Sequence, residues 1–146
     1  MEDIFVAGVG MTKFGRHFDH SYKELAREAI EQALTDAGAS KADVKQAFFA
    51  SCVIGLMHDQ HMIPGHVALR SMGFEGIPIF NLEGACASAS TALHLAENAI
   101  RSGSCDIAIA VGVEKMNSPD KAKMFSAFDS AWDVETVSDT RDILLK

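Results

Sequence analysis

The sequence predicts an α/β protein in which a mostly parallel, mixed sheet carries helices on both faces. Short runs of β-branched and aromatic residues alternate along the chain with longer amphipathic segments. This order of strands and helices favours right-handed β-α-β crossovers. The composition agrees, because 146 residues with 48% hydrophobic side chains are enough for one domain with its own core.

Four segments are predicted to be strands. They are rich in valine, isoleucine, phenylalanine and alanine, and glycines or polar residues bound them. The predicted ranges are 3–10, 47–54, 77–82 and 107–113. The third of these is expected to be covered on both faces, because it is a short β-branched and aromatic run.

Helices are predicted between these strands. Ser21 and Glu24 have the spacing of a capping box, and apolar residues then recur on one side of the segment until Gly38. A second helix is predicted over residues 64–72. A third follows Gly84, and its long apolar stripe consists largely of alanine, so this helix can lie close to its neighbours.

Cys86 lies where the third predicted strand gives way to this helix. The first turn of a helix has unpaired backbone N–H groups and the positive end of the helix dipole, and both favour a thiolate over a thiol. These are the properties of an activated nucleophile. The alternative is a structural role, because cysteine commonly fills space in a core. Cys52 and Cys105 are interpreted as structural.

Charge and cysteine content narrow the classes of function. A formal charge of −7 and a pI near 5.2, without a basic stripe, argue against general binding to nucleic acid. The first residues lack the pattern of a signal peptide, and no apolar run reaches membrane-spanning length. Three cysteines without a pairing pattern favour a reducing compartment. We therefore expect a cytoplasmic protein that has no membrane partner.

Two further patterns are incomplete. The glycines within residues 8–15 suggest a dinucleotide-binding turn, but Lys13 stands where that motif requires its third small residue. Histidine pairs within residues 17–20 and 58–61 have the spacing of ligands on a helix, without the cysteines or carboxylates of a recognised zinc site. No metal site is therefore predicted.

Two motifs resemble the thiolase superfamily, especially its sterol-carrier-protein branch. They are NLEGACASAST at residues 81–91 and GSCDIAIAVGVEKM at residues 103–116. Residues 5–15 and 64–70 also resemble that branch, in its first strand and in the helix before the nucleophile strand. One departure is Ala89, where the family usually has glycine.

The resemblance implies a domain organisation. Residues 1–116 would form an N-terminal thiolase-like half with the order β-α-β-α-β. Residues 117–146 would begin a loop region, incomplete here, that shapes the acyl-chain and coenzyme A pocket in the family. Scattered aromatic residues without a strong period agree with a loop at this point.

The resemblance also implies a chemistry. Cys86 would be acylated by a 3-ketoacyl-CoA thioester and would pass the acyl group to coenzyme A, or the reaction would run in the reverse direction as a Claisen condensation. Coenzyme A thioester would then be the substrate, with no bound cofactor. Asn81, Gly84 and Ala85 would shape the turn and the oxyanion site.

Substrate contacts are expected from the residues that follow the fourth strand. Lysines there are candidates for contacts with coenzyme A phosphates, although solvated surface lysines need no partner. The residues concerned are Lys115, Met116, Lys121 and Lys123.

The resemblance further implies that a second half is needed. In the family that half supplies a histidine, a further cysteine and a glycine-rich segment, and this sequence contains none of those motifs. Little turnover is expected from the chain alone, because loss of one oxyanion donor already costs about 10²- to 10³-fold in rate. The expected partner is a completing C-terminal half or a second copy of the chain.

Two alternatives stay open at this point. The chain could be a non-catalytic interaction subunit or a truncated thiolase fragment, because half of a two-half fold exposes an apolar face. It could also belong to a thiolase-like lyase that performs retro-aldol cleavage of a coenzyme A thioester with a zinc-ribbon and OB-fold partner protein.

Overall fold

The computed structural model describes residues 3–137 and residue 143. From residue 21 onward the predicted helices and strands occur in the expected order, and two further helices occur over residues 54–58 and 121–129. Their bounds are α1 Tyr22–Ala37, β1 Gln46–Ala50, α2 Ile54–His58, α3 Pro64–Arg70, β2 Ile79–Leu82, a 3₁₀ turn Ala85–Ala87, α4 Ser88–Arg101, β3 Ala108–Gly112 and α5 Lys121–Asp129.

The sheet has the strand order β2-β1-β3, and both strand pairs are parallel. In its register, Phe48 of β1 lies beside Phe80 of β2 and Ala110 of β3. Because the strands are parallel, their carboxyl ends share one edge of the sheet, where α/β proteins commonly place their ligands. The predicted α/β class is confirmed.

Helices cover both faces of this sheet, as predicted. Ala47 and Phe49 point from β1 into a core shared with α1 and α3. Phe48 and Ala50 point to the other face, where they pack on Ala92 and other residues of α4. Successive side chains of a strand alternate between faces, so β1 contributes to both cores.

The ends of α1 confirm the expected caps. The Ser21 hydroxyl accepts the Glu24 N–H at 3.2 Å, and the Glu24 carboxylate accepts the Ser21 N–H at 2.7 Å. Gly38 ends the helix with φ 63°, which glycine adopts at little cost. The Ser21 N–H and the Ser21 hydroxyl both donate to the Glu24 carboxylate, which favours its charged form and lowers the pKa of Glu24.

The prediction of a strand over residues 3–10 is wrong. This segment forms no strand in the structure and lies along α1. The Val9 N–H donates to the Asp36 carboxylate at 2.9 Å, and the Met11 N–H donates to Gln32 Oε1 at 3.0 Å. Side chains of α1 thus accept backbone hydrogen bonds that a neighbouring strand would otherwise accept.

The prediction that the strand at residues 77–82 is covered on both faces is also wrong. The strand is β2, which lies at an edge of the sheet, and its Phe80 is 44% exposed. Phe80 stacks on Phe48 with ring centroids 5.0 Å apart. Similarly, the strand predicted over residues 47–54 ends at Ala50, because the chain turns at residues 51–53 and then enters α2.

The region after residue 116, predicted to be a loop, contains α5. The Asp120 carboxylate caps this helix by accepting the Lys123 N–H at 3.0 Å. Ala127 of α5 packs on Val53 and Met57, so the helix is attached at the carboxyl edge of the sheet. Of the predicted loop region, residues 138–142 and 144–146 lie outside the described residues. Among the described helices, none has the length and apolarity to cross a bilayer.

Candidate functional site

Cys86 lies in the 3₁₀ turn between β2 and α4, at the carboxyl edge of the sheet. The residue is exposed, and the cysteine is free. The sequence predicts Cys86 in the first helical turn, whereas the α-helix begins two residues later at Ser88. The structure thus presents this thiol to solvent ahead of α4.

The turn around Cys86 depends on an unusual backbone conformation. Ala85 has φ 48°, in the left-handed region that residues with a Cβ rarely occupy. Its N–H donates to the Glu83 carboxylate at 2.6 Å. Such conformations persist only where the surroundings hold them, and they concentrate at functional sites.

Ser88 provides the second support of this turn. Its hydroxyl accepts the Gly84 N–H at 2.9 Å and donates to the Ala85 carbonyl at 2.7 Å. The side chain is buried, with 6% of the residue exposed. Since the two bonded groups flank Cys86 on its N-terminal side, Ser88 fixes the backbone that presents the thiol.

Two of the predicted turn residues, Gly84 and Ala85, therefore form hydrogen bonds with the side chains that support the turn. Asn81, the third, forms its hydrogen bonds with α3 instead. Asn81 Oδ1 accepts the Gly65 N–H at 2.6 Å, and its Nδ2 lies 2.8 Å from His66 Nδ1. These bonds attach β2 to the start of α3. A role for Asn81 in the oxyanion site stays a prediction.

Cys52 lies at the same edge, directly after β1. The residue is exposed, whereas Cys105, which is also interpreted as structural from the sequence, is buried. The backbone N–H of Cys52 donates to the Glu114 carboxylate at 2.7 Å. Partial desolvation raises the pKa of the Cys52 thiol, and the negative charges of Glu114 and Glu83 add to this effect.

Glu114 joins the ends of β1 and β3. Besides the Cys52 N–H, its carboxylate accepts the Val53 N–H at 3.2 Å. These two donors would have no strand partner, because the chain leaves the sheet at this point. Glu114 thus stabilises the turn after β1, although it is 62 residues from Cys52 and 61 residues from Val53 in the sequence.

The four predicted substrate residues lie after β3, at the same end of the sheet but about 10 Å across two strand spacings from β2. Lys115 and Met116 line a cavity of about 60 Å³ with residues including His17 and Glu114. Lys121 donates to Asn117 Oδ1 at 3.3 Å, within the first turn of α5. Lys123 follows in that turn and donates its backbone N–H to the cap. Their contacts with substrate stay predictions.

Sequence reasoning missed Cys52, Glu83, Ser88 and Glu114 as members of this site. One signal was available for Glu83 and Glu114, since each follows the predicted end of a parallel strand and such ends meet at one edge. Cys52 instead lies within the strand predicted over residues 47–54. Ser88 lies inside the motif at residues 81–91, but its double hydrogen bond depends on the turn geometry.

The fold has helices on both faces of a parallel sheet, and an exposed cysteine lies in a strand-to-helix turn at the carboxyl edge. These features are typical of α/β proteins that place a reactive side chain at that edge. The profile of the thiolase N-terminal domain matches residues 4–141. The chain therefore belongs to the thiolase family, through its N-terminal domain, as the motifs indicated.

Known relatives agree with this membership. The chain is 38% identical over 125 residues to sterol carrier protein 2 of Gallus gallus, an alignment that covers 84% of this chain and 22% of that protein. It is 37% identical over 138 residues to acetyl-CoA acetyltransferase of Methanothermobacter thermautotrophicus, with 92% and 36% covered. The chain thus spans between a fifth and about a third of these relatives.

A solved structure supports the fold. The 3-oxoacyl-[acyl-carrier-protein] synthase III of Aquifex aeolicus VF5 superposes with a TM-score of 0.62 at 21% identity. The match covers 76% of this chain and 35% of that one. At this identity the likeness concerns the arrangement of strands and helices.

Proposed function

We propose that this chain is the nucleophile-bearing half of a thiolase-type acyltransferase. The observation that carries the proposal is the exposed Cys86 in a strained, doubly supported turn of a thiolase N-terminal domain. The acetyl-CoA acetyltransferase relative suggests a coenzyme A thioester as the substrate. Three free cysteines suit the reducing cytoplasm, which we propose as its location.

In the first step, the Cys86 sulfur attacks the thioester carbonyl and loses its proton. A carbon–sulfur bond forms to Cys86, the bond to the coenzyme A sulfur breaks, and that sulfur takes up a proton. In the condensing direction the acyl group then passes from Cys86 to the α-carbon of a second thioester, which loses a proton. In the thiolytic direction Cys86 attacks the 3-keto carbon of a 3-ketoacyl-CoA, the bond between C2 and C3 breaks, C2 takes up a proton, and coenzyme A then accepts the acyl group from Cys86. The Cys86 N–H is the proposed oxyanion donor from this half.

The base that removes the proton of Cys86 is assigned to a second half of the enzyme. His94 lies on α4, eight residues after Cys86, and about 1.5 Å of rise per residue places it roughly 12 Å along the axis. Its ring nitrogen lies 3.0 Å from Asn98 Nδ2, one turn further on. His94 thus points to a local helix partner, and the proton of Cys86 is left to a histidine of the completing half.

The N-terminal segment supports the proposal of a completing partner. Large apolar side chains in residues 5–14 are mostly exposed, at 67% to 87%. Exposed apolar side chains gathered in one segment are typical of an interface. The residues concerned are Phe5, Val6, Val9, Met11 and Phe14. A second half or a second copy of the chain is the proposed occupant.

Intact-mass spectrometry after incubation with acetyl-CoA tests the function. Wild-type chain, supplied with a thiolase second half on a separate chain, should gain one acetyl group on Cys86. A C105S variant should be acetylated equally, because Cys105 is buried and precedes β3 at the opposite end of the sheet. A C86S variant should gain none. Equal acetylation of wild type and C86S would contradict the proposal.

A non-catalytic interaction subunit is the second candidate, and the same exposed segment favours it. Size-exclusion chromatography with light scattering separates the two. A dimer that persists while acetylation of Cys86 is absent supports the interaction role. A monodisperse monomer contradicts it. The retro-aldol lyase with a zinc-ribbon and OB-fold partner stays a prediction from the resemblance.

A further inference from the structure

Two cysteines lie at one edge of the sheet. Cys52 follows β1 and Cys86 follows β2, and these neighbouring parallel strands pair in register up to Ala50 and Leu82. Strands in such a pair are about 4.8 Å apart. The Ser51 N–H still donates to the Leu82 carbonyl at 3.1 Å, so the two chains remain side by side as they leave the sheet.

The carboxylate of Glu83 lies between the two cysteines. It accepts the N–H of Ala85, the residue before Cys86, at 2.6 Å, and its negative charge contributes to the raised pKa of the Cys52 thiol. A negative charge on Cys86 raises that pKa further, as the smallest of the contributions.

Both cysteines are accessible, which distinguishes them from the third. Cys52 and Cys86 are exposed, whereas Cys105 is 8% exposed and lies before β3. An exposed thiol beside a second cysteine is the arrangement of oxidation-sensitive pairs, in which one cysteine is oxidised and the other resolves it.

We propose that Cys52 and Cys86 form a reversible intramolecular disulfide under peroxide, and that this modification protects and silences Cys86. The loss of acyl transfer on oxidation rests on the proposed function of Cys86. Formation of the bond itself is independent of acyl transfer.

The chemistry balances with a peroxide as the oxidant. The Cys86 sulfur attacks one peroxide oxygen, so that a sulfenic acid and one water are formed. The Cys52 sulfur then attacks the sulfenic sulfur, the S–S bond forms, and hydroxide leaves and takes up the Cys52 proton to give a second water. A dithiol reductant reverses the modification.

The second step should accelerate with pH. Partial desolvation raises the pKa of the Cys52 thiol, and the negative charges of Glu114, Glu83 and Cys86 add to this effect, so Cys52 stays protonated to higher pH than an ordinary cysteine. Attack requires the thiolate. We therefore expect the sulfenic acid to accumulate at neutral pH and the disulfide to form faster in alkaline buffer.

Titration of the full chain with hydrogen peroxide in alkaline buffer, where the Cys52 thiolate is present, tests the proposal. Wild type should lose two of its three titratable thiols, and its mass should fall by two hydrogens. Peptide mapping should then show one linked peptide pair that contains Cys52 and Cys86. Reduction should restore all three thiols. A C105S variant should lose both remaining thiols in the same way.

The matched variant C52S sharpens the test. It should carry oxygen on Cys86 and proceed to the irreversible sulfinic acid, because no resolving thiol is present. Over-oxidation of Cys86 in wild type at the same rate as in C52S would overturn the inference, as would disulfides only between chains. If acetylation of Cys86 occurs but the linked peptide does not form, the inference fails while the proposed function survives.

Discussion

The turns after β1 and β2 are alike in topology and different in what holds them. Each leaves the carboxyl end of a parallel strand, carries a cysteine and enters a helix within a few residues. After β2, the supporting groups are local, namely Glu83 and Ser88. After β1, the support is Glu114, which accepts the Cys52 N–H across 62 residues.

The thiols of Cys52 and Cys86 also have different surroundings. Partial desolvation, together with the negative charges of Glu114 and Glu83, raises the pKa of the Cys52 thiol and keeps it protonated. Cys86 is presented to solvent by a strained turn. The comparison teaches that equivalent positions in a β-α unit acquire different chemistry from the side chains that satisfy their backbone groups.

The largest expected effect on stability comes from Glu114, which supports the turn after β1 from a distant part of the sequence. A Glu114→Ala substitution removes the acceptor of two backbone N–H groups, and we expect a loss of about 3 kcal/mol in the free energy of unfolding. Urea denaturation measures this loss. Glu97→Ala is the matched control, because its ion pair with Arg101 is on the surface and contributes less than about 1 kcal/mol. Equal losses would refute the role of Glu114.

Loss of the local support, Ser88, should lower stability less than loss of Glu114 and should change the reactivity of Cys86 more. Ser88→Ala leaves the Gly84 N–H without its acceptor and should cost about 2 kcal/mol. Alkylation of Cys86 by iodoacetamide should also become slower, because the turn is less ordered. Ser90→Ala serves as the control, since the exposed Ser90 hydroxyl only donates to the Ala87 carbonyl. If both variants are alkylated at the wild-type rate, Ser88 does not position Cys86.

Relief of the strain at Ala85 should give a smaller change of opposite sign. Ala85→Gly removes the Cβ from a left-handed conformation, and the gain should be about 1 kcal/mol before the greater entropy of unfolded glycine offsets part of it. Thermal unfolding followed by circular dichroism measures the change. A marked fall in the unfolding temperature would show that Ala85 is not strained.

The smallest expected effect is a dependence of stability on pH. The folded-state pKa of Cys52 is raised, so the folded protein binds this proton more tightly than the unfolded chain does. The contribution to stability is fully present below the unfolded-state pKa and falls as pH rises above it. Urea midpoints from neutral to alkaline pH should therefore decline more steeply in wild type than in Cys52→Ser. Parallel declines would contradict the assignment.

Much of this fold could be predicted, because its signals are local. The capping box at Ser21 and the left-handed Gly38 depend on neighbouring residues, and the strand-to-helix turn at Cys86 follows from a β-branched run and a glycine. Three of the four predicted strands form the sheet for the same reason.

The errors arise where tertiary contacts override the local pattern. Residues 3–10 have the composition of a strand, but the Asp36 and Gln32 side chains of α1 accept their backbone hydrogen bonds. The exposure of Phe80 follows from the edge position of β2, which periodicity does not specify. The site residue Glu114 was missed because its partners are 61 and 62 residues away.

Transfer of a labelled acetyl group to a chain with one cysteine tests the central claim most directly. The C52S/C105S variant retains only Cys86 and is mixed with labelled acetyl-CoA and a completing thiolase half. We expect a covalent label that survives denaturation, is released by hydroxylamine and is absent when Cys86 is also replaced by serine. An unlabelled one-cysteine chain, or equal label without Cys86, would contradict it.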